Sequence, residues 1–399
     1  MQFASTCSRF STFASRCLEP ATVSTVHLFP VEEYSERVAR LRAEMRAREV
    51  AVVIVDESEM LHYFTGYAVS LNLYRAALIP LEKEPVMLVR RLDEAPFLAA
   101  SWLTRYRAFL DTEDPMEVLG ELIVEGGWAR ARIGLDMNSY CMPVKRFDQL
   151  RALLPAAAFV DFSDELRPLR LRKSPLEIAL LRRAAAIADQ AMAESIASVE
   201  CGSSPRDAAA VAAAAFLRLG ADTGRTGPIT SGNGWNFLHG ALHDRPLKIG
   251  DVLHMELVPK VNGYCARLMR PSVIGAPTTE QQRAADALIA LQDRQLKAMH
   301  PGALGREVDA ILREGVLAAG LREHYENNTG YTLGYYFEQA PRTSDFTRVF
   351  TPQADWPLEP GMVFHMYTSA QGLAFSETVL VTENGSERLT RLERKLFIR

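Results

Sequence analysis

The sequence predicts two domains in tandem, an α/β N-terminal domain followed by an α+β C-terminal domain. Three observations predict it. Strand and helix patterns alternate through roughly the first 140 residues, a short basic stretch then opens a strongly capped helix, and hairpin signals appear only beyond residue 250. A length of 399 residues also exceeds one ordinary domain.

The opening stretch MQFASTCSRFSTFASRCLEP is rich in Ser, Thr and Phe, carries Arg9 and Arg16, and has no acid before Glu19. Residues 1–25 are read as a disordered or targeting extension, which leaves organellar import open beside a cytoplasmic location. Residues 26–165 form the expected N-terminal domain. Tyr34, Val38, Leu41 and Met45 recur at helical steps. Strands are expected at Ala51–Asp56, Ala76–Pro80, Pro85–Val89 and Arg132–Leu135, with helices at Ala95–Leu103 and Pro115–Glu125.

The basic segment Leu166–Lys173 ends this domain. Ser174, Pro175 and Glu177 then occupy N-cap, N1 and N3, a capping box with proline where its missing N–H costs nothing. Ile178, Leu181, Ala185, Ala188 and Met192 continue as one apolar stripe, and Pro205–Leu219 reads as a second helix closed by Gly220. In the second domain, residues 175–399, Asn262-Gly263 joins strands at Val252–Val258 and Gly263–Val273. Helices Thr279–Met299 and Gly305–Ala319 follow, then strands at Val363–Tyr367, Leu373–Ala374 and Thr378–Thr382.

Composition narrows the function. Hydrophobic residues are 48% and charged residues 24%, with net charge −4, which disfavours nucleic acid as a partner. No uncharged apolar run approaches the roughly 20 residues of a membrane span, so no membrane partner is expected. Cys7, Cys17, Cys141, Cys201 and Cys265 are scattered and odd in number, against a disulfide framework or zinc-thiolate site. Neither GxGxxG nor a P-loop occurs, so no nucleotide cofactor is expected.

Several segments together resemble the creatinase, prolidase, aminopeptidase P and methionine aminopeptidase family, whose catalytic domain has the pita-bread fold. They are HYFTGY (His62–Tyr67), LRLRKSPLEIALLRRAAAIAD, LHGALHDRPLKIGD (Leu238–Asp251), TGYTLG (Thr329–Gly334), LEPGMVF (Leu358–Phe364) and SETVLVTENG (Ser376–Gly385). The resemblance implies a creatinase-type N-terminal domain, a pita-bread C-terminal domain and a homodimer. Peptidases of the family bind two divalent metals through two Asp, one His and two Glu. Here those places are read as Glu256, Arg267, Tyr331, Tyr367 and Glu377, of which only Glu377 keeps the family's residue. Two carboxylates with a guanidinium among them do not offset the charge and lost hydration of two hard cations, so no metal is expected.

Metal-free branches of the family offer an alternative. Creatinase relies on a histidine upstream of a Gly-Asp pair, and His239 stands twelve residues before Asp251, the spacing creatinase shows. Ectoine hydrolase is similar at HDRPLKIGD, Glu256-Leu257, GYTLG, VFHM (Val363–Met366) and RKLF (Arg394–Phe397), and departs at Arg267 and Tyr367-Thr368-Ser369. The expected activity is metal-independent hydrolysis of a non-peptide C–N bond in a small zwitterionic metabolite, without cofactor. His239 would shuttle protons and Glu256 and Glu377 would be paired carboxylates at one site, with Tyr331 donating to an oxyanion. Arg267 and Arg342 would clamp a substrate carboxylate, with Tyr63 and Tyr367 as further contacts. Other readings stay open: a salt-bridge cluster around Arg267 in an inactive binding protein, or a divergent Xaa-Pro peptidase. His243, His254 and His365 are read as structural, two of them one step from inward strand positions.

Overall fold

A computed structural model describes residues 27–67, 70, 73–232, 238–336 and 346–399. The N-terminal extension to residue 25 and Arg342 lie outside the described residues.

In the N-terminal domain the strands are β1 (Val52–Val55), β2 (Ala76–Pro80), β3 (Val86–Arg90), β4 (Tyr106–Phe109), β5 (Arg132–Leu135) and β6 (Ala158–Asp161). The helices are α1 (Val31–Ala47), α2 (Ser58–Thr65), α3 (Glu94–Ala100), α4 (Pro115–Glu125), α5 (Val144–Leu153) and α6 (Ser163–Leu166). They build a mixed sheet of order β4-β3-β2-β1-β5-β6. Strand β1 is buried throughout because its two faces serve two cores. Val53 and Val55 pack with Leu41 and Leu61 of α1 and α2, whereas Val52 and Ile54 pack with Leu119 and Ile123 of α4. The strands absent from the sequence prediction, β4 and β6, are the sheet edges. Their residues are mostly part-buried and show no strict alternation of apolar with polar types.

The second domain opens with α7 (Pro175–Ala197), whose Ser174–Glu177 capping box is formed in both directions, and α8 (Pro205–Leu219). Its sheet runs β12 (Gly330–Thr332), β13 (Val363–Ala370), β14 (Leu373–Thr382), β11 (Leu268–Val273), β8 (Val252–Leu257), β7 (Ile229–Gly232). Strand β15 (Gly385–Arg388) pairs with β14, and β16 (Phe397–Ile398) with β11. Helices α9 (Thr279–Lys297) and α10 (Gly305–Ala318) bury Leu288 and Leu312 against Phe375, while α7 and α8 bury Ala188 and Phe216 in the core that holds Met255.

Three expected strands change form. Gly263–Val273 divides into β10 (Tyr264–Cys265), which forms a short ribbon with β9 (Lys260–Val261), and then β11. Asn262 and Gly263 turn the ribbon at φ 49° and 78°. The division falls at Arg267, whose backbone pairs with a side chain: its N–H donates to Thr378 Oγ1 (2.8 Å), and that hydroxyl donates to its carbonyl (3.0 Å). In contrast, Leu373–Ala374 and Thr378–Thr382 fuse into the single strand β14, because buried Ser376 and Glu377 stay in the ladder with β13.

The HYFTGY segment joins the domains. The His62 ring of α2 stacks on Tyr335 at 3.9 Å and 5°, and Arg37 of α1 bonds the Tyr63 carbonyl (2.9 Å) while lying 3.5 Å from Glu177 of α7. Burial, helped by Arg37 and Arg170, lowers the His62 pKa to about 3. The unfolded imidazole titrates near 6.5, so below that pH the unfolded chain takes a proton that the folded chain refuses. Stability is therefore lost as pH falls from there towards 3. At about pH 5 the loss is roughly 2 kcal/mol. His62→Phe keeps a ring on Tyr335, so urea unfolding at neutral and acid pH should show this part of the acid sensitivity gone.

Candidate active site

Antiparallel pairing across the second sheet assembles the site, since directly opposed residues project to one face. Glu256 of β8 opposes Met269 of β11, Met269 opposes Ser376 of β14, and Ser376 opposes Tyr367 of β13. His254 joins Glu256 on this face two residues earlier, and His365 joins Tyr367 in the same way. Tyr331 of β12 opposes His365. These side chains, except that of Ser376, line a cavity of about 450 Å³ with His239, Arg267, Asn327, Asn328 and Phe346.

An ion pair lies in the cavity wall. The guanidinium of Arg267 bonds Glu256 through Nη2 and the Tyr331 hydroxyl through Nη1, and all three residues are buried. Tyr331, His365 and Tyr367 form an aromatic cluster with centroids 5.1–6.1 Å apart. The Tyr367 hydroxyl donates to Asn328 Oδ1 (3.1 Å), and burial raises its pKa. His239 is exposed at the cavity rim. Burial pulls the His254 pKa down to about 4, with Glu256 opposing and His239 adding to the shift, so His254 is neutral at physiological pH.

The structure thus brings together His239, Glu256, Arg267, Tyr331 and Tyr367. Other expected residues are elsewhere. Glu377 alternates with Ser376 along β14 and projects from the opposite face, where Arg270 Nη2 donates to it (2.8 Å) and Arg394 Nε and Arg388 Nη1 lie 3.4 and 3.5 Å away. The expected pairing of Glu256 with Glu377 in one site is therefore corrected by strand periodicity, which puts Ser376 on the cavity face. Tyr63 belongs to the first domain. Its hydroxyl accepts from Arg40 (2.7 Å) and donates to the Leu169 carbonyl (2.6 Å), outside the cavity. Arg267 lines the cavity, but its guanidinium is already committed to Glu256 and Tyr331 instead of standing open for a carboxylate.

His254 and His365 were missed by the sequence reading. Their spacing of two from Glu256 and Tyr367 on strands was the available signal, because residues i and i+2 share a face. His243 stays outside the cavity lining, 3.4 Å from the Ser231 hydroxyl.

Architecture and site together define a two-domain protein of the pita-bread hydrolase class. The signature of Metallopeptidase family M24 matches residues 179–383, that of the Creatinase/Prolidase N-terminal domain matches residues 37–172, and the chain belongs to this family. It is 28% identical to the ectoine hydrolase of Halomonas elongata over 402 residues, covering 93% of this chain and 98% of that protein. It is likewise 28% identical to the Xaa-Pro dipeptidase of Pyrococcus furiosus over 241 residues, covering 60% and 68%. The recombinant prolidase of Thermococcus sibiricus superposes with a TM-score of 0.81 at 22% identity, covering 92% of this chain and 99% of that one. Dipeptidase PepE of Mycobacterium ulcerans gives 0.79 at 24% identity, covering 93% and 99%. At these identities the two superpositions establish the fold alone.

The family's name implies metal, and the donor set here does not fit it. Glu256 is neutralised by a guanidinium, the opposing positions hold Met269, Ser376 and Tyr367, and no group of three or more His, Cys, Asp or Glu is arranged for a metal among the described residues. Arg267→Met leaves the Glu256 carboxylate buried and unpaired, which should lower the unfolding free energy by roughly 3–5 kcal/mol. Arg267→Met combined with Glu256→Leu should recover most of that loss in urea titrations; strictly additive losses would contradict the pairing.

Proposed function

We propose that this protein hydrolyses a non-peptide C–N bond in a small zwitterionic metabolite bearing an amidine or guanidine group, without a metal ion. The observation that carries the reading is the Arg267–Glu256 ion pair in the cavity wall, with an imidazole, His239, at the rim. Similarity to an ectoine hydrolase along nearly the whole chain supports it.

In this reading His239 takes a proton from water as its oxygen adds to the amidine or guanidine carbon. It returns that proton to the leaving nitrogen as the C–N bond opens. Glu256 faces the cationic group of the substrate, and Arg267 holds the carboxylate in place. The Tyr331 hydroxyl, which accepts from Arg267 and keeps its own proton to give, is the donor for the oxygen that develops charge, and the Tyr367 hydroxyl, which lines the same cavity, joins it by exchanging Asn328 for that oxygen. The reading includes a homodimer, as in two-domain relatives, and a cytoplasmic location. Glu377, enclosed by arginines on the reverse face, is given a structural role.

Metal analysis and turnover of ectoine, creatine and related cyclic amidines and guanidino acids test the reading. Activity should survive chelator treatment, and His239→Ala should lower kcat by about 10²–10⁴-fold with the fold intact. Stoichiometric zinc, manganese or iron with chelator-sensitive activity would refute it. Manganese-stimulated cleavage of prolyl dipeptides would favour a peptidase, and tight binding without turnover would favour a binding protein.

A further inference from the structure

His254 is a buried imidazole in the cavity wall, on the same strand face as Glu256. It is 1% exposed, it lines the cavity, and neither ring nitrogen has a hydrogen-bond partner among the described residues. Its cross-strand neighbours are Thr230 of β7 and Pro271 of β11, and Pro271 has no N–H to offer. Buried polar groups without partners are rare, because each has lost its water without compensation. Such a group persists where a ligand completes it.

The chemistry of a neutral imidazole specifies that ligand. One ring nitrogen accepts and the other donates. An acceptor without charge receives an N–H from a cation and adds no repulsion. His254 and Glu256 lie two residues apart on one strand face, so their side chains start about 6.6 Å apart along the strand. A planar amidinium or guanidinium presents N–H groups that diverge from one carbon and can reach both.

We propose that His254 is a specificity-determining residue that accepts one N–H of a substrate amidinium or guanidinium while Glu256 accepts another. This rests on the proposed substrate class and adds the residue that reads it. Unsubstituted N–H groups on the scissile carbon become a requirement, and fully N-alkylated analogues are excluded. It also implies that His254 is held at a cost to stability. An apolar side chain of similar size would relieve the unpaired nitrogens and remove recognition together.

The test uses the full chain with ¹⁵N-labelled histidine, titrated with acetamidinium chloride, a probe that needs no turnover. His254 resonances, identified by their loss in His254→Gln, should move on binding. Affinity should fall roughly tenfold or more in His254→Leu and less in His254→Gln, which keeps donor and acceptor atoms. The thermal midpoint of His254→Leu should equal or exceed that of the parent. Unmoved His254 signals, absence of acetamidinium binding, parent-like affinity in His254→Leu, or a lowered midpoint with lost binding would each overturn the proposal. If acetamidinium shifts His254 but no amidine or guanidine is turned over, the hydrolase reading fails and this one stands. If His254→Leu turns substrate over like the parent, the reverse holds.

Discussion

The arrangement of the site depends on one buried ion pair, Arg267 with Glu256. A carboxylate in this position must be compensated, because desolvating an unpaired charge costs several kcal/mol. The chain supplies the compensation from within, and the backbone is shaped to deliver it. Arg267 sits between β10 and β11, where Thr378 holds both its N–H and its carbonyl. The guanidinium then reaches Glu256 on one side and Tyr331 on the other. A short strand, β12, carries Tyr331, and the chain beyond it leads to Tyr335, the residue on which His62 of the first domain stacks. Docking of the N-terminal domain thus braces the segment that presents Tyr331.

Alternation along the central strands separates two sets of charges. On the cavity face Glu256 meets one arginine and leaves room for a ligand. On the reverse face Glu377 meets Arg270, Arg388 and Arg394 and accepts the Thr390 hydroxyl, with no space left. Arg270 also donates to the carbonyls of Met269 and Ser376, so this cluster ties β11 to β14 directly behind the row that carries Met269 and Ser376. A buried network of several charge-assisted hydrogen bonds rigidifies what it binds. The reverse face therefore provides rigidity, and the cavity face provides the reactive groups.

Much of the fold was legible because its signals are local. Pro115–Glu125 and Pro205–Leu219 have the expected bounds, set by proline near N1 and a glycine after the last turn. Asn262-Gly263 marked its turn for the same reason. The edge strands β4 and β6 were not legible, since half-exposed four-residue segments carry no periodicity of their own. The site was legible in part. Motif order pointed to Glu256, Arg267, Tyr331 and Tyr367, all of which reach the cavity. The reading placed Glu377 there too, because a one-residue choice along β14 decides the face and only the register with β13 and β11 settles it. His254 was passed over although its spacing from Glu256 put it on the same face; that its nitrogens lack partners is visible only in three dimensions.

The central claim is that a guanidinium stands beside Glu256, at the place where the resemblance to the family's peptidases implies a divalent ion. Anomalous diffraction from crystals grown with excess manganese, recorded at the manganese edge, tests it most directly. The account predicts no anomalous peak in the cavity and Arg267 density in contact with the Glu256 carboxylate. A full-occupancy peak beside Glu256, with Arg267 displaced towards solvent, would contradict it.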